Sequence, residues 1–386
     1  MTNYKNQFTE ICPPPPKTKA GKLWSLEFLR IIFLIFIFFT HPFAELLNLD
    51  DRSLRWFEGN FAVNGFLILS GFLLYRTAMS SNAPTFKGFF VKQWLRLAPV
   101  LIVVCLLGIA MKIVFGFGYN RGLLPTCFLL LFTGNGLAGY FPQFYGVIWY
   151  VGCLFWGGLI VYYMLRNFDM KKNLFAFAII AYLVLVFEWN EGFNSLVSTM
   201  ARNFMLRTIG GLMLGAIVAH ICSTIKRNDK LWYKIFFTVM EIGLIFYVFW
   251  GASRGSLPII DQIPFLDKFD FMRGNAPNNW NIHNAYSYIF LSLLVLIFAL
   301  NCGYISRFLN SQSWINHVSR YAYSFLATMG IALRIARSFH ATNFFVLLGI
   351  NIIMAVAVYW AVEYWAIKLA NKYRNMVSSK DTERSV

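Results

Sequence analysis

The feature that most constrains this chain is the recurrence of apolar blocks of about 18–25 residues, the length at which a helix crosses a bilayer. They fall at about 24–43, 59–75, 97–115, 145–165, 173–188, 204–222, 235–250, 285–304, 321–337 and 343–367 of the 386 residues. Charge is correspondingly sparse. Charged side chains make up 13% of the chain and hydrophobic ones 58%, against about 25% charged in a soluble protein. A soluble globule could not cover itself with so few charges. The pattern excludes a soluble enzyme, a disordered chain and a small secreted scaffold. It predicts an all-α, polytopic integral membrane protein with about ten transmembrane helices. The apolar stretch 123–133 is too short to span and is expected to be re-entrant or interfacial. Residues 251–284, rich in Gly, Pro, Asn and Asp, form the largest loop. No internal repeat is visible, which argues against transporter folds built from inverted repeats.

The chain holds 34 Lys and Arg against 17 Asp and Glu, a net charge of +17. In a soluble protein this would suggest nucleic acid, but in a membrane chain the cations first report topology. With the N-terminus inside, 22 cations fall on inner segments and 8 on outer ones, while Arg30, Lys112, Arg207 and Arg334 lie within spans. That bias predicts both termini on the cytoplasmic side of a cell (inner) membrane. Residues 1–22, with the run Pro13–Pro16, read as a disordered cytoplasmic tail. Residues 23–370 read as the membrane domain and 371–386 as a basic cytoplasmic tail. The first block carries Glu27 and Arg30 and no small-residue cleavage site, so it reads as an uncleaved span. The six cysteines form no CxxC and no Cys/His ligand spacing. Cys105, Cys153, Cys222 and Cys302 are expected to be core residues, with no metal and no permanently bound cofactor.

Ionisable groups inside spans are costly and point to function. Arg30 and His41 are 11 residues apart, within about 20° of three full turns, so they share one helix face about 16 Å apart along the axis. In the predicted topology Arg30 lies near the inner side and His41 at the outer end. An arginine there suits a phosphate-bearing ligand and a histidine suits a base. The competing reading has Arg30 snorkelling to the inner surface and pairing with Glu27 at i−3, with His41 merely ending the helix. Lys92 and Arg96, four apart in the inner segment 76–96, would share a face at the mouth of the third span. They are either ordinary positive-inside charge or a dock for a phosphorylated donor. His220 and His317 near the inner surface, and His340 in an outer turn, read as structural or solvated.

The run SLEFLRIIFLIFIFFTH, with Arg30 and His41, resembles the first helix of acyltransferase family 3, the ten-helix membrane O-acyltransferases. NGFLILSGFLLYR (64–76) is similar to that family's apolar run into Ser-Gly-Phe, here Ser70, Gly71 and Phe72. FFVKQWLRLAP (89–99) is similar to its basic segment, with Lys92 where Arg is usual. LRTIGGLMLGAIVA (206–219), VSRYAYSFLATMG (318–330) and YWAVEYW (359–365) resemble later helices in the same order. Ser70 and Gly71 are expected to permit close helix packing rather than catalysis.

The resemblance implies transfer of an acyl group, usually acetyl, from cytoplasmic acyl-CoA to a hydroxyl of an extracytoplasmic carbohydrate or glycolipid, such as a lipid-linked sugar. Arg30, Lys92 and Arg96 are then expected to hold the CoA phosphates. The pantetheine arm, on the order of 15–20 Å, would carry the thioester towards His41. His41 is the expected general base, with Glu45 at i+4 orienting its imidazole. Trp280 and His283, in NNWNIHN at the end of the large outer loop, are candidates for stacking on the acceptor sugar. The alternative from the same ten-helix layout is an exporter of polysaccharide or lipid-linked sugar without acyl chemistry. Under either reading the partners include the lipid bilayer and exclude nucleic acid.

Overall fold

The computed structural model describes residues 23–40, 59–115, 148–168, 170–189, 200–225, 230–252, 280–340 and 343–383. Among these residues every regular element is helical. The helices are α1 (Trp24–Phe38), α2 (Gly59–Ala78), α3 (Phe86–Phe115), α4 (Ile148–Asn167), α5 (Met170–Trp189), α6 (Met200–Thr224) and α7 (Leu231–Ala252). They continue with α8 (Trp280–Leu300), α9 (Tyr304–Ser311), α10 (Ser313–Ser319), α11 (Ala322–Ser338) and α12 (Phe344–Val358). A π-helical segment, Tyr359–Glu363, joins α12 to α13 (Tyr364–Glu383).

This is an all-α membrane fold. Five helices are long and apolar enough to cross a bilayer: Phe61–Ala78, Phe86–Met111, Met205–Thr224, Leu231–Gly251 and Phe344–Tyr373. A sixth candidate is the pair Tyr286–Leu300 and Tyr304–Ser311, bent by 63°. A helix overlies each of the ten predicted blocks, yet only these pass on length and composition together among the described residues. The expected interfacial piece at 123–133, the N-terminal tail and most of the large loop lie outside the described residues. Two boundaries differ from the expectation. Helix α3 begins at Phe86, well ahead of the apolar block at 97, and so includes Lys92 and Arg96 on the shared face that their spacing predicts. Helix α8 begins at Trp280, just after Pro277, because the intervening sequence contains no breaker to delay it.

Contacts divide the chain into two units. The first comprises Met1–Ser81, Met164–Leu196 and Ile209–Arg320. At its centre is α8, which packs on α1, α2, α5 and α7, while α9 and α10 pack on α1. Inside it α2 and α6 cross at backbone contact. A Cβ on Gly71 would fall on the carbonyl of Leu212, and one on Gly215 would fall on the carbonyl of Ile68. Only glycine at both positions permits that approach, the close packing expected of membrane helices. The expectation for Gly71 is met here.

The second unit comprises Asn82–Tyr163, Val197–Thr208 and Tyr321–Val386. Helices α11 and α12 form an antiparallel pair, and α3 packs against α11, the π segment and α13. Its core gathers Val100, Val104, Ile331 and Val358, with Tyr323, Ile335 and Met354 against them. Phe89 stacks on Tyr162 with centroids 3.9 Å apart, which seats the first turns of α3 on α4. Pro99 lies inside α3, and just before it the Tyr323 hydroxyl donates to the carbonyl of Leu97 at 2.7 Å.

Candidate functional site

In the first unit, Arg30 lies on the second turn of α1. Its guanidinium bonds Glu27 Oε2 at 2.6 Å, with 22% and 16% of the two side chains exposed. The i, i+3 pairing weighed from the sequence is therefore present. One N–H of the five on a guanidinium is spent on it, so Arg30 retains donors for an anion. Its predicted partners in chemistry, His41 and Glu45, lie outside the described residues.

Helix α1 starts from an unusual anchor. Ser25 is fully buried, its amide is accepted by Asn310 Oδ1 at 2.9 Å and its hydroxyl donates to the carbonyl of Phe298 at 3.0 Å. Nearby, Glu241 of α7 turns its carboxylate to the first turn of α9, accepting the amides of Ile305 at 3.0 Å and Ser306 at 3.2 Å. Thr238 accepts the amide of Tyr304 at 2.9 Å. An anion at a helix start is favoured both by the orphan N–H groups and by the helix dipole.

In the second unit, Lys92 and Arg96 lie one turn apart on α3, Lys92 half-buried and Arg96 exposed. The π segment brings Glu363 towards this basic stretch. Glu363 is buried, accepts a short hydrogen bond from the Ser324 hydroxyl of α11, and feels the charge of Arg96. Deeper along α11, Thr328 donates to Asn351 Oδ1 of α12 at 2.8 Å, and Asn351 Nδ2 donates to the carbonyl of Phe325 at 3.3 Å. The buried polar face of α11 is thus satisfied by α12 and the π segment. Such π segments are often found at functional sites.

Trp280 and His283 occupy the first turn of α8, three residues apart on a helix rather than at the end of a loop. The structure places the other histidines as follows. His220 meets the Tyr75 hydroxyl at 3.0 Å and His317 meets Arg320 at 3.0 Å. His340 has φ 50° in the turn after α11. Cys105, Cys153, Cys222 and Cys302 are buried free thiols. Among the described residues no three His, Cys, Asp or Glu side chains gather as a metal site.

Sequence reasoning missed Glu241 and Glu363. A signal for both existed, since an acidic residue within an apolar helix is rare enough to ask for a partner. It missed the Ser25–Asn310 pair for a different reason: neither residue carries any pattern that names the other.

A family model described as an acyltransferase domain matches residues 23–364. No curated protein matches the chain, and no solved structure does.

Proposed function

This chain belongs to the acyltransferase-domain family matched over residues 23–364, and on that premise we propose that it moves an acyl group, most simply acetyl, from cytoplasmic acyl-CoA to a hydroxyl of an extracytoplasmic carbohydrate or glycolipid. The reading takes the ten helical blocks as ten spans of the cytoplasmic membrane with both termini inside, which the 22 to 8 distribution of cations supports. The donor and the acceptor then lie on opposite sides of the bilayer.

The observation that carries the reading is the basic stretch of α3. Lys92 and Arg96 lie on consecutive turns at the start of a membrane-crossing helix, and the buried Glu363 feels the charge of Arg96. Charge-assisted bonds from Lys and Arg to phosphate are the strong ones. Arg30, at the inner end of α1, is the further cation this reading assigns to the phosphates, its guanidinium bonded to Glu27. CoA needs such cations, because its phosphates must stop at the membrane surface while its apolar-tolerant arm enters.

In the chemical step His41 accepts the acceptor's hydroxyl proton as the oxygen attacks the thioester carbonyl. The C–S bond breaks, an O-acyl ester forms, and the CoA thiolate leaves as the thiol with the proton that His41 took, which returns the imidazole to its neutral form. Glu45 orients the imidazole, and Trp280 and His283 bind the sugar. No permanently bound cofactor takes part.

The test is transfer of labelled acetyl from acetyl-CoA by the purified protein in proteoliposomes, with mass spectrometry of the glycans that gain it. His41→Ala is expected to lower the rate by about 10²–10⁴-fold, the usual contribution of a general base, with donor binding retained. Near wild-type transfer by His41→Ala would remove the catalytic assignment. Export of unmodified sugar by that variant would favour the exporter.

A further inference from the structure

Helix α1 begins without a cap of its own. Its N-cap residue is Leu23, whose side chain bonds no backbone group, and the first N–H groups of any helix lack partners within it. One of these, the amide of Ser25, is met from 285 residues away by Asn310 Oδ1 of α9 at 2.9 Å. Asn310 Nδ2 donates both to Ser25 Oγ at 3.1 Å and to Asn301 Oδ1 at 2.9 Å. The Ser25 hydroxyl passes its own hydrogen to the carbonyl of Phe298 at 3.0 Å. Ser25 and Asn310 are 0% and 1% exposed, so water does not compete for these bonds.

Asn310 is itself held rigidly. The chain turns out of α8 at Asn301, whose φ of 53° lies in the left-handed region that asparagine tolerates. Helix α9 then leaves at 63° to α8. Its first turn is fixed by Glu241 and Thr238 of α7, and Arg307 Nε donates back to the carbonyl of Asn301 at 3.3 Å. The start of α1 is therefore bonded to a frame made by α7, α8 and α9.

The rest of α1 is held mainly by apolar contact, with Leu26, Leu29, Phe33, Phe36 and Ile37 buried. Apolar contact is non-directional. A helix held that way alone can slip by about 1.5 Å or turn by about 100° per residue of register change. Directional bonds at Ser25 remove that freedom, and Arg30 stands only five residues beyond.

From this geometry we infer that Asn310 is a positioning residue. By capping α1 at Ser25 from a separate helix, it sets the axial and rotational register of the helix that bears Arg30 and leads to His41. The inference rests on the acyl-transfer reading above, because that reading gives Arg30 and His41 their roles.

The test is Asn310→Leu in the full-length protein in proteoliposomes, with Ser25→Ala and the double variant beside it. The readouts are KM for acyl-CoA, kcat, and hydrogen exchange of the α1 amides. The expected result is a KM at least threefold higher, a kcat at least tenfold lower, and faster exchange in the first turns of α1. The double variant should be no worse than the poorer single one, as for two residues of one network. KM is the deciding quantity, because partial unfolding lowers the active fraction, and so the apparent kcat, without moving KM. A fall in kcat with KM unchanged would overturn the inference, leaving Asn310 as support for the fold only. Faster exchange with unaltered kinetics would also overturn it, as would unaltered exchange. A wild-type protein inert towards acyl-CoA would instead sink the acyl-transfer reading, and the exchange measurement would still decide whether Asn310 holds α1.

Discussion

Glu241 and Glu363 make an instructive pair. Each is an acidic residue on an apolar helical stretch, and they are 0% and 3% exposed. Each must be satisfied, because an unpaired carboxylate in such surroundings costs several kcal/mol. They are satisfied differently. Glu241 spends both oxygens on backbone amides, those of Ile305 and Ser306. Its place is so confined that a Cβ on Gly303 would fall on its carboxylate. Glu363 is met by a side-chain hydroxyl, that of Ser324, and by the charge of Arg96. Backbone partners cannot move without refolding, whereas side-chain partners can rearrange when a ligand arrives. Glu241 is therefore a structural acceptor, and on the proposed function Glu363 is the one suited to respond to a donor at the basic turns of α3.

That contrast is most exposed to test at Glu241. Glu241→Ala leaves two amides of α9 without that acceptor, the part-buried one of Ile305 and the buried one of Ser306, at up to about 1–3 kcal/mol each. We expect a loss of about 3 kcal/mol or more, read as a lowered thermal midpoint in detergent and poor recovery of folded protein. Normal stability in this variant would break the comparison. Glu363→Gln should do the reverse. The amide keeps the volume and still accepts from Ser324, but it removes the carboxylate charge that Arg96 meets. We expect kcat/KM for acyl-CoA to fall about tenfold, or about 1.4 kcal/mol, with the thermal midpoint nearly unchanged. A variant that loses stability and keeps its kinetics would make Glu363 a second structural acceptor. The smallest effect is expected at Ser324→Ala. Hydrogen bonds between membrane helices average about 0.6 kcal/mol, so its stability should drop by about that amount, and its kinetics should shift in the same direction as those of Glu363→Gln.

The two glutamates also show what kind of information the sequence holds. Their depth was legible, since both lie in apolar blocks. Their partners were not. Ser324 and Ile305 lie 39 and 64 residues from the glutamates they meet, and no local pattern selects them. The Arg30–Glu27 pair was legible for the opposite reason: three residues on one helix are always neighbours. The glycine crossing lies between these cases. Ser70 and Gly71 suggested close packing, while the partner backbone at Leu212 came only from the fold. Trp280 and His283 were placed at a loop end because polar residues surround them, and α8 nonetheless begins there.

By itself the sequence determined the class of this protein, its helical blocks and the family to which it belongs. These follow from hydrophobicity, charge and short motifs, all properties of neighbouring residues. Only the tertiary structure decided how the polar groups inside the apolar blocks are satisfied: Asn310 on Ser25, Glu241 on the start of α9, and Glu363 on Ser324. The reason is physical. Apolar surface can be buried against many partners at similar gain, so composition suffices to predict burial. A buried hydrogen bond demands one donor and one acceptor at one distance and angle, and that pairing exists only once the helices have packed.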